Sequence, residues 1–373
     1  MGDKGKAQTV NESRIFWLKS DPGVASENEK TVFIPTADPL PSHPQLSIRE
    51  LFSKHYEQIR EWLAGANRPG VALVAMDFDD VRGAAFLAAK PDVISTAILG
   101  RHTRADLRLG EDPSLSLRHL ALLLFPRPSG GAGARYRLLD LRTATGFLDE
   151  RGKRLRALEA NGPAFVRCGR YTVLIFPATE AENPWPDDPK AAWKRIPERL
   201  YLDEVETEER SREWEAEHDR AWEVDALPGL KESPTLVHHL AGPEMAVHEL
   251  VDEGKPPLGE IQVTSSRGVA TIVVGESAAR AGVLLGRSRR CDAGRVLSDR
   301  SISRVHLLVI EIAGNLFAID TASYNGLWDG KGREQAKPLE LEQPLTLGDV
   351  ATTVVWRSFP EVTPSSPEEP DSG

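Results

Sequence analysis

Leu285-Gly286-Arg287, then Ser303-Arg304-Val305-His306, then Ser323-Tyr324-Asn325-Gly326 is the pattern that decides the reading of this chain. It occurs twice. The earlier copy runs Leu99-Gly100-Arg101, Ser116-Leu117-Arg118-His119 and Thr143-Ala144-Thr145-Gly146. Arg101 precedes Ser116 by 15 positions and Arg287 precedes Ser303 by 16, and in both copies the His follows the Ser by 3. The His and the turn Gly stand 27 apart in the first copy and 20 in the second. The first copy has Pro126-Arg127-Pro128-Ser129-Gly130-Gly131-Ala132-Gly133 where the second has only Ala313-Gly314-Asn315, a longer and a shorter hairpin loop between the same two strands. Each element ends or precedes a short β-type run, so the chain reads as a duplicated domain. An Arg, a hydroxyl and an Asn-Gly turn at the ends of neighbouring strands can surround a phosphate on an extended peptide. The second copy has all three parts, and the first has Thr145 in place of the Asn.

Working outward, β-type runs separated by turns cover Val71–Met76, Ala84–Ala88, Thr96–Leu99, Leu120–Phe125, Tyr136–Leu141 and Tyr171–Phe176. They return at Gly259–Val263, Ala270–Val274, Gly282–Leu285, Leu307–Ile312, Leu316–Asp320 and Ala351–Trp356. Closely spaced short strands predict antiparallel sandwiches. The chain therefore divides into a polar, Pro-closed arm over 1–44, an amphipathic helix over 45–66 and a first sandwich over 68–178. A linker over 179–256 follows, then a second sandwich over 257–358 and a Pro/Ser/Glu-rich tail over 359–373. The helix is announced by Ser47 three residues before Glu50, a capping-box spacing, and by Ile48, Leu51, Phe52, Ile59, Trp62 and Leu63 at helical intervals. The linker is charged and partly helical: Glu204 to Trp222 has helix formers but few apolar residues, which predicts a solvated helix or spacer. The expected fold is mainly β, two sandwiches joined by this linker.

Composition narrows the function. At 373 residues and 40% hydrophobic content the chain can bury two cores, yet no apolar run reaches the roughly 18 residues of a membrane helix. The N-terminal stretch has no apolar signal segment and Lys6 stands where a myristoylation motif wants Ser or Thr, so a cytoplasmic location is expected. A net charge of −10 argues against a nucleic-acid partner. Arginine nevertheless gathers around the two patterns: Arg101, Arg104, Arg108 and Arg118 in one, Arg287, Arg289, Arg290, Arg295 and Arg304 in the other. Arg in preference to Lys, with abundant Ala, Gly and Pro, suits a GC-rich bacterial source.

The second copy resembles the forkhead-associated (FHA) family of phosphothreonine-recognition domains, on Gly286-Arg287, Ser303-Arg304-Val305-His306 and Ser323-Tyr324-Asn325-Gly326. Cys291-Asp292 and Leu347-Gly348-Asp349 also fall where that family has similar residues. The two resemblances cover roughly half the chain and imply, for each, an eleven-stranded sandwich whose loops at one end hold a peptide, with no catalysis and no cofactor. They assign Arg287 to the phosphate as a charge-assisted donor and Ser303 as a hydroxyl donor. Asn325 would bond the ligand main chain beside the tight turn at Gly326, and Ser288, Arg289 and Arg304 would stand at the rim. His306 and His119 are implied to tie loops together. In the first copy Arg101, Ser116, Arg118, Thr145 and Gly146 would form a weaker or lost site, since Thr145 has one hydroxyl where an amide offers donor and acceptor.

The implied function is a phosphothreonine-peptide adaptor downstream of Ser/Thr kinases, its partner a phosphorylated kinase or substrate. The competing reading is a phosphorylation-independent scaffold in a secretion or envelope assembly. Thr31, in Glu27-Asn28-Glu29-Lys30-Thr31-Val32-Phe33-Ile34, is a candidate phosphoacceptor that would occupy the Arg287 pocket of the same chain. No other residues point to chemistry. His238, His239 and His248 lack ligand partners at metal spacing and read as surface or linker residues. Gly130–Gly133 is followed by no Gly-Lys-Ser/Thr and is a loop, not a phosphate-binding P-loop. Cys168 and Cys291 read as buried thiols, and Trp185, Trp193, Trp214 and Trp222 as docking points of the linker.

Overall fold

The computed structural model describes residues 46–65, 68–91, 93–110, 112–126, 134–178, 185–203, 235–243, 252, 254–348 and 352–358. Eleven strands build the first sandwich: β1 (Gly70–Met76), β2 (Val81–Ala88), β3 (Ser95–Gly100), β4 (Leu107–Arg108), β5 (Leu120–Leu124), β6 (Tyr136–Asp140), β7 (Phe147–Asp149), β8 (Arg154–Leu155), β9 (Ala157–Ala160), β10 (Ala164–Cys168) and β11 (Tyr171–Ala178). After it come β12 (Arg199–Leu202) and β13 (Thr235–Leu240). The second sandwich has β14 (Gly259–Ser265), β15 (Gly268–Val274), β16 (Val283–Leu285), β17 (Leu307–Ile312), β18 (Asn315–Asp320), β19 (Leu327–Trp328), β20 (Arg333–Glu334), β21 (Ala336–Pro338), β22 (Leu345–Leu347) and β23 (Thr353–Arg357).

One strand order serves both. The first sandwich pairs a β2-β1-β11-β10-β7-β8 sheet with a β9-β6-β5-β3-β4 sheet, and the second pairs β15-β14-β23-β22-β19-β20 with β16-β17-β18-β21. The second copy has a short helix, Glu276–Ala281, before β16 and no counterpart of β4. Each sandwich encloses its own core, built around Leu73, Leu99, Leu122, Val166 and Val173 in one and Ile261, Val263, Leu285, Leu307 and Leu347 in the other.

Two further apolar layers lie outside these cores. The first covers the outer face of β1, β2, β10 and β11, where two helices, α1 (Ile48–Lys54) and α2 (Tyr56–Gly65), pack with α3 (Pro189–Arg195). The Ser47–Glu50 capping box is formed, with Glu50 N–H donating to Ser47 Oγ at 3.2 Å and Ser47 N–H to Glu50 Oε2 at 2.8 Å. Where one helix is expected over 45–66, two are found, separated at His55; Phe52, Tyr56 and Ile59 on both sides of the break are all buried. Trp185 and Trp193 reach the same layer, at 6.4 and 5.3 Å from Phe52 between ring centroids.

The second outer layer joins the two sandwiches. Ile98, Ala121, Leu123, Leu139 and Leu141 of the first pack with Leu284, Val305, Leu308, Ile310, Ile312 and Ile319 of the second. The central strands show why. β5 reads LALLL and β17 reads LLVIEI. Leu120, Leu122 and Leu124 point into the first core while Ala121 and Leu123 point at the other sandwich. Leu307 and Val309 fill the second core while Leu308, Ile310 and Ile312 point across. A strand buried on both faces has no reason to alternate.

The described parts of the linker on either side of Glu204–Trp222 join the first sandwich. β13 pairs antiparallel with β9 and β12 lies parallel to β13, extending the first sandwich's sheet. The edge that β9 would expose is thereby covered. His239, expected at the surface or in free linker, is instead buried, with Nδ1 2.9 Å from Asp203 Oδ1 and Nε2 3.4 Å from Asp149 Oδ2. Residues 204–234, which hold Trp214 and Trp222, lie outside the described residues.

Candidate phosphopeptide site

The second copy's loops meet at one end of the sandwich because the strand ends do. Arg287 follows β16, Ser303 to His306 precede β17, and Thr321 to Gly326 join β18 to β19. Backbone bonds fasten the first two loops: Arg287 N–H donates to Ser303 O at 3.1 Å and Ser288 N–H to Arg304 O at 2.9 Å. A Cβ on Gly286 would lie 2.4 Å from Arg304 O, so only glycine allows this approach. His306 fastens the third loop. Its Nδ1 accepts from Ser303 N–H at 3.1 Å, so Nε2 carries the proton and donates to Gly326 O at 3.0 Å. Burial pushes its pKa down, as a neutral imidazole in this role requires. Gly326 itself takes φ +85°, and its N–H donates to Ser323 Oγ at 2.9 Å.

Within this frame the residues assigned to the ligand are presented as follows. Arg287 is exposed, and its guanidinium makes no hydrogen bond or ion pair among the described residues. Ser303 Oγ accepts from Tyr324 N–H at 3.1 Å, which leaves its own proton to donate elsewhere. Asn325 Nδ2 donates to Ser301 O at 2.9 Å, and Trp328 Nε1 donates to Asn325 O at 2.8 Å. Ser288 Oγ accepts from Arg290 N–H at 3.3 Å, while Arg289 and Arg304 are exposed beside it.

The first copy repeats the frame almost bond for bond. Arg101 N–H donates to Ser116 O at 3.2 Å, His119 Nδ1 accepts from Ser116 N–H at 3.0 Å, and His119 Nε2 lies 3.0 Å from Gly146 O. The His119 pKa is likewise lowered by burial. What differs is the ligand side. Arg101 Nε donates to Leu115 O at 2.6 Å, which turns the guanidinium back onto its own loop. Thr145 is exposed and makes no hydrogen bond among the described residues. Arg118, expected beside this pocket, is 7% exposed and belongs to the interface: its Nε donates to Thr321 O at 2.6 Å and its Nη2 to Ala322 O at 2.7 Å.

The interface carries polar contacts that single-copy reasoning could not find. Arg142 forks onto Asp292, both bonds 2.8 Å, with side-chain exposures of 2% and 3%. Arg142 Nη1 also donates to Arg290 O at 2.8 Å, and Arg290 Nη1 returns a bond to Arg142 O at 2.7 Å. Arg104 crosses in the other direction to Ser323 and Tyr324. The signal available in the sequence was an arginine at Arg142, in the turn where the second copy has Ala322.

Both cysteines are buried and free, with the Cys291 thiol pushed up to about 12 by burial. Among the described residues no group of His, Cys, Asp or Glu could hold a metal ion, and no helix is long and apolar enough to cross a membrane. Thr31 lies outside the described residues.

Several solved structures are similar to parts of this chain. The FHA-1 domain of Rv1747 from Mycobacterium tuberculosis is 26% identical over 27% of this chain and 99% of that one, with a TM-score of 0.23. The FHA domain of CT664 from Chlamydia trachomatis is 22% identical over 27% of this chain and 99% of its own, also at 0.23. EmbR of M. tuberculosis, solved in complex with a low-affinity phosphopeptide, is 17% identical over 30% of this chain and 28% of its own, at 0.23. No protein-family model matches the chain, and no curated protein does. In this chain the strand ends bring the Gly-Arg, Ser-x-x-His and Asn-Gly loops of the second sandwich together at one end.

Proposed function

We propose that this protein is a cytoplasmic phosphothreonine-peptide reader, an adaptor in Ser/Thr-kinase signalling that binds through its second sandwich and catalyses nothing. The observation that carries the reading is the pairing of Arg287, exposed and without a side-chain partner, with a Ser303 hydroxyl whose oxygen is already engaged by Tyr324 N–H. A guanidinium fork and an outward hydroxyl proton suit a phosphate monoester of about −1.5 to −2 charge. Asn325, on the adjoining loop, would bond the ligand's main chain. The first sandwich, with Arg101 turned onto Leu115 O, serves as a docking body and not as an equal reader.

Binding of a phosphothreonine peptide to the full chain tests this. Each charge-assisted bond contributes about 1.5–3 kcal/mol, so Arg287→Ala weakens binding by about tenfold or more while the unfolding midpoint stays put. Unchanged affinity in Arg287→Ala, or equal binding of the unphosphorylated peptide, would refute the proposal.

A further inference from the structure

The turn that joins β18 to β19 is held from outside its own sandwich. Ala322 takes φ +57°, in the left-handed region that a Cβ disfavours. A residue kept there needs its surroundings to fix it. Two arginines of the first sandwich supply that. Arg118 Nε donates to Thr321 O at 2.6 Å and Nη2 to Ala322 O at 2.7 Å. Arg104 takes over at the next residues: its Nη1 donates to Tyr324 O at 2.6 Å and to Ser323 O at 3.3 Å. Its guanidinium carbon lies 4.4 Å from the centroid of the Tyr324 ring. Four successive carbonyls, from Thr321 to Tyr324, thus accept from the first sandwich. Arg333 of the second adds one bond, to Ser323 O at 3.0 Å.

The same turn meets the residues assigned to the ligand. Tyr324 N–H donates to Ser303 Oγ at 3.1 Å, the bond that leaves the Ser303 proton to point elsewhere. Asn325 Nδ2 donates to Ser301 O at 2.9 Å, and Trp328 Nε1 donates to Asn325 O at 2.8 Å. The Tyr324 carbonyl shares one planar peptide unit with the Asn325 N–H. By gripping that carbonyl, Arg104 sets the plane from which the Asn325 side chain springs. In the first sandwich's turn the carbonyls are taken differently: Arg290 Nη1 donates to Arg142 O at 2.7 Å, and Thr143 O is bonded at 2.7 Å by Arg156 of its own sandwich. The grip on successive carbonyls falls on the copy that has Asn325, where the other has Thr145.

We infer that the first sandwich shapes the phosphopeptide loop of the second, with Arg104 as a positioning residue that holds Tyr324 and Asn325 in place without touching the ligand. The inference rests on the phosphopeptide reading above and adds to it a residue from outside the second sandwich. A loop already ordered when the ligand arrives loses less freedom on binding, so the brace acts on affinity through preorganisation. It also gives the duplication a role: the first sandwich completes the loop of its neighbour.

The test uses the full chain and a fluorescent phosphothreonine peptide with neutral flanks. Arg104→Ala weakens binding about threefold to tenfold, within the range by which substitutions at coupling contacts act, and the change falls mainly on the dissociation rate. Because no ionic contact with the ligand is lost, the slope of affinity against salt stays that of wild type. In the protein without peptide, amide exchange at Tyr324 and Gly326 quickens in Arg104→Ala while the unfolding midpoint holds. Arg104→Lys, which can still donate to Tyr324 O, recovers part of both losses. Unchanged affinity in Arg104→Ala overturns the inference. So does a weakened affinity with a shallower salt slope and wild-type amide exchange, which would make Arg104 a ligand contact instead. Arg287→Ala separates the two claims: binding intact there sinks the phosphate reading, whereas binding lost there, with affinity and exchange unmoved in Arg104→Ala, sinks the positioning claim alone.

Discussion

Replacing Asp292 probes whether the two sandwiches are one folding unit. The Asp292 carboxylate receives two bonds from Arg142 at 2.8 Å and one from Leu284 N–H at 3.0 Å. Asp292→Ala removes all three and strands Arg142, whose Nε already has no partner, with only the Arg290 carbonyl for company. Stranding one member of a buried pair costs about 3–5 kcal/mol. Asp292→Asn keeps an acceptor for Leu284 N–H but removes the charge, so it falls between Ala and wild type. Arg142→Met in the Asp292→Ala background relieves the uncompensated charge and recovers most of the loss, because apolar replacement of a buried pair is often neutral. Urea unfolding followed by tryptophan fluorescence reads both halves, with Trp185 and Trp193 beside the first sandwich and Trp328 and Trp356 in the second. Wild type unfolds in one transition, and Asp292→Ala moves its midpoint down or splits it in two. A loss below about 1 kcal/mol, the range of a solvent-exposed pair, would refute the buried, coupled interface.

Other expectations follow from the loops and the cores. Gly286→Ala drives a Cβ to 2.4 Å from Arg304 O, an overpacking cost of about 1–3 kcal/mol, and lowers phosphopeptide affinity by displacing Arg287. Arg101→Ala in the full chain changes phosphopeptide affinity by less than about twofold, where Arg287→Ala loses about tenfold or more. Phe52→Ala empties a fully buried site between the helices and the first sandwich and costs about 3–5 kcal/mol, read by denaturant titration. Stability also depends on pH through His119 and His306. Both have pKa values lowered in the folded state, so the unfolded chain binds more protons as pH drops below about 6.5. Their contribution is complete above that value and is lost as pH falls toward the folded pKa. Urea titrations between neutral and mildly acid pH should show this fall, with a shallower dependence in His306→Ala.

The longer strands were legible because turns and apolar runs mark them, and the predicted runs fall on β1, β2, β3, β5, β6, β11 and their counterparts in the second copy. Strands of two or three residues such as β7, β8, β19 and β20 were not, since so short a run has no period to read. The loop residues of the site were legible through spacing, because Gly286, His306 and Gly326 each meet a constraint that few residue types satisfy. β12 and β13 went unread because an edge strand that only extends a sheet needs little hydrophobicity: β13 is THR-LEU-VAL-HIS-HIS-LEU in sequence, with a single fully buried aliphatic, Val237. The interface was visible only as a missing alternation in LALLL and LLVIEI, a pattern that equally suits any strand buried on both faces.

The polar cross-braces relate the two copies by an approximate exchange. Arg104 and Arg290 occupy corresponding places after Arg101 and Arg287, and each donates to the opposite copy's turn, Arg104 to Ser323 and Tyr324, Arg290 to Arg142. The turns they grip differ in chemistry. Beyond the grip the second copy offers Tyr324 and Asn325, while the first offers Ala144 and Thr145. Arg142 adds a buried fork to Asp292 on one side, and on the other its counterpart is Ala322, whose carbonyl takes Arg118 instead. Side-chain and main-chain bonds thus hold the two loop ends together in both directions, but the exposed Arg with no side-chain partner and the Asn-Gly turn occur in one. An asymmetric pair of this kind should lose phosphopeptide affinity when Arg118→Met unties the Thr321 and Ala322 carbonyls, although Arg118 touches no ligand. Affinity unchanged in a folded Arg118→Met protein would mean that the second pocket keeps its shape without the first sandwich.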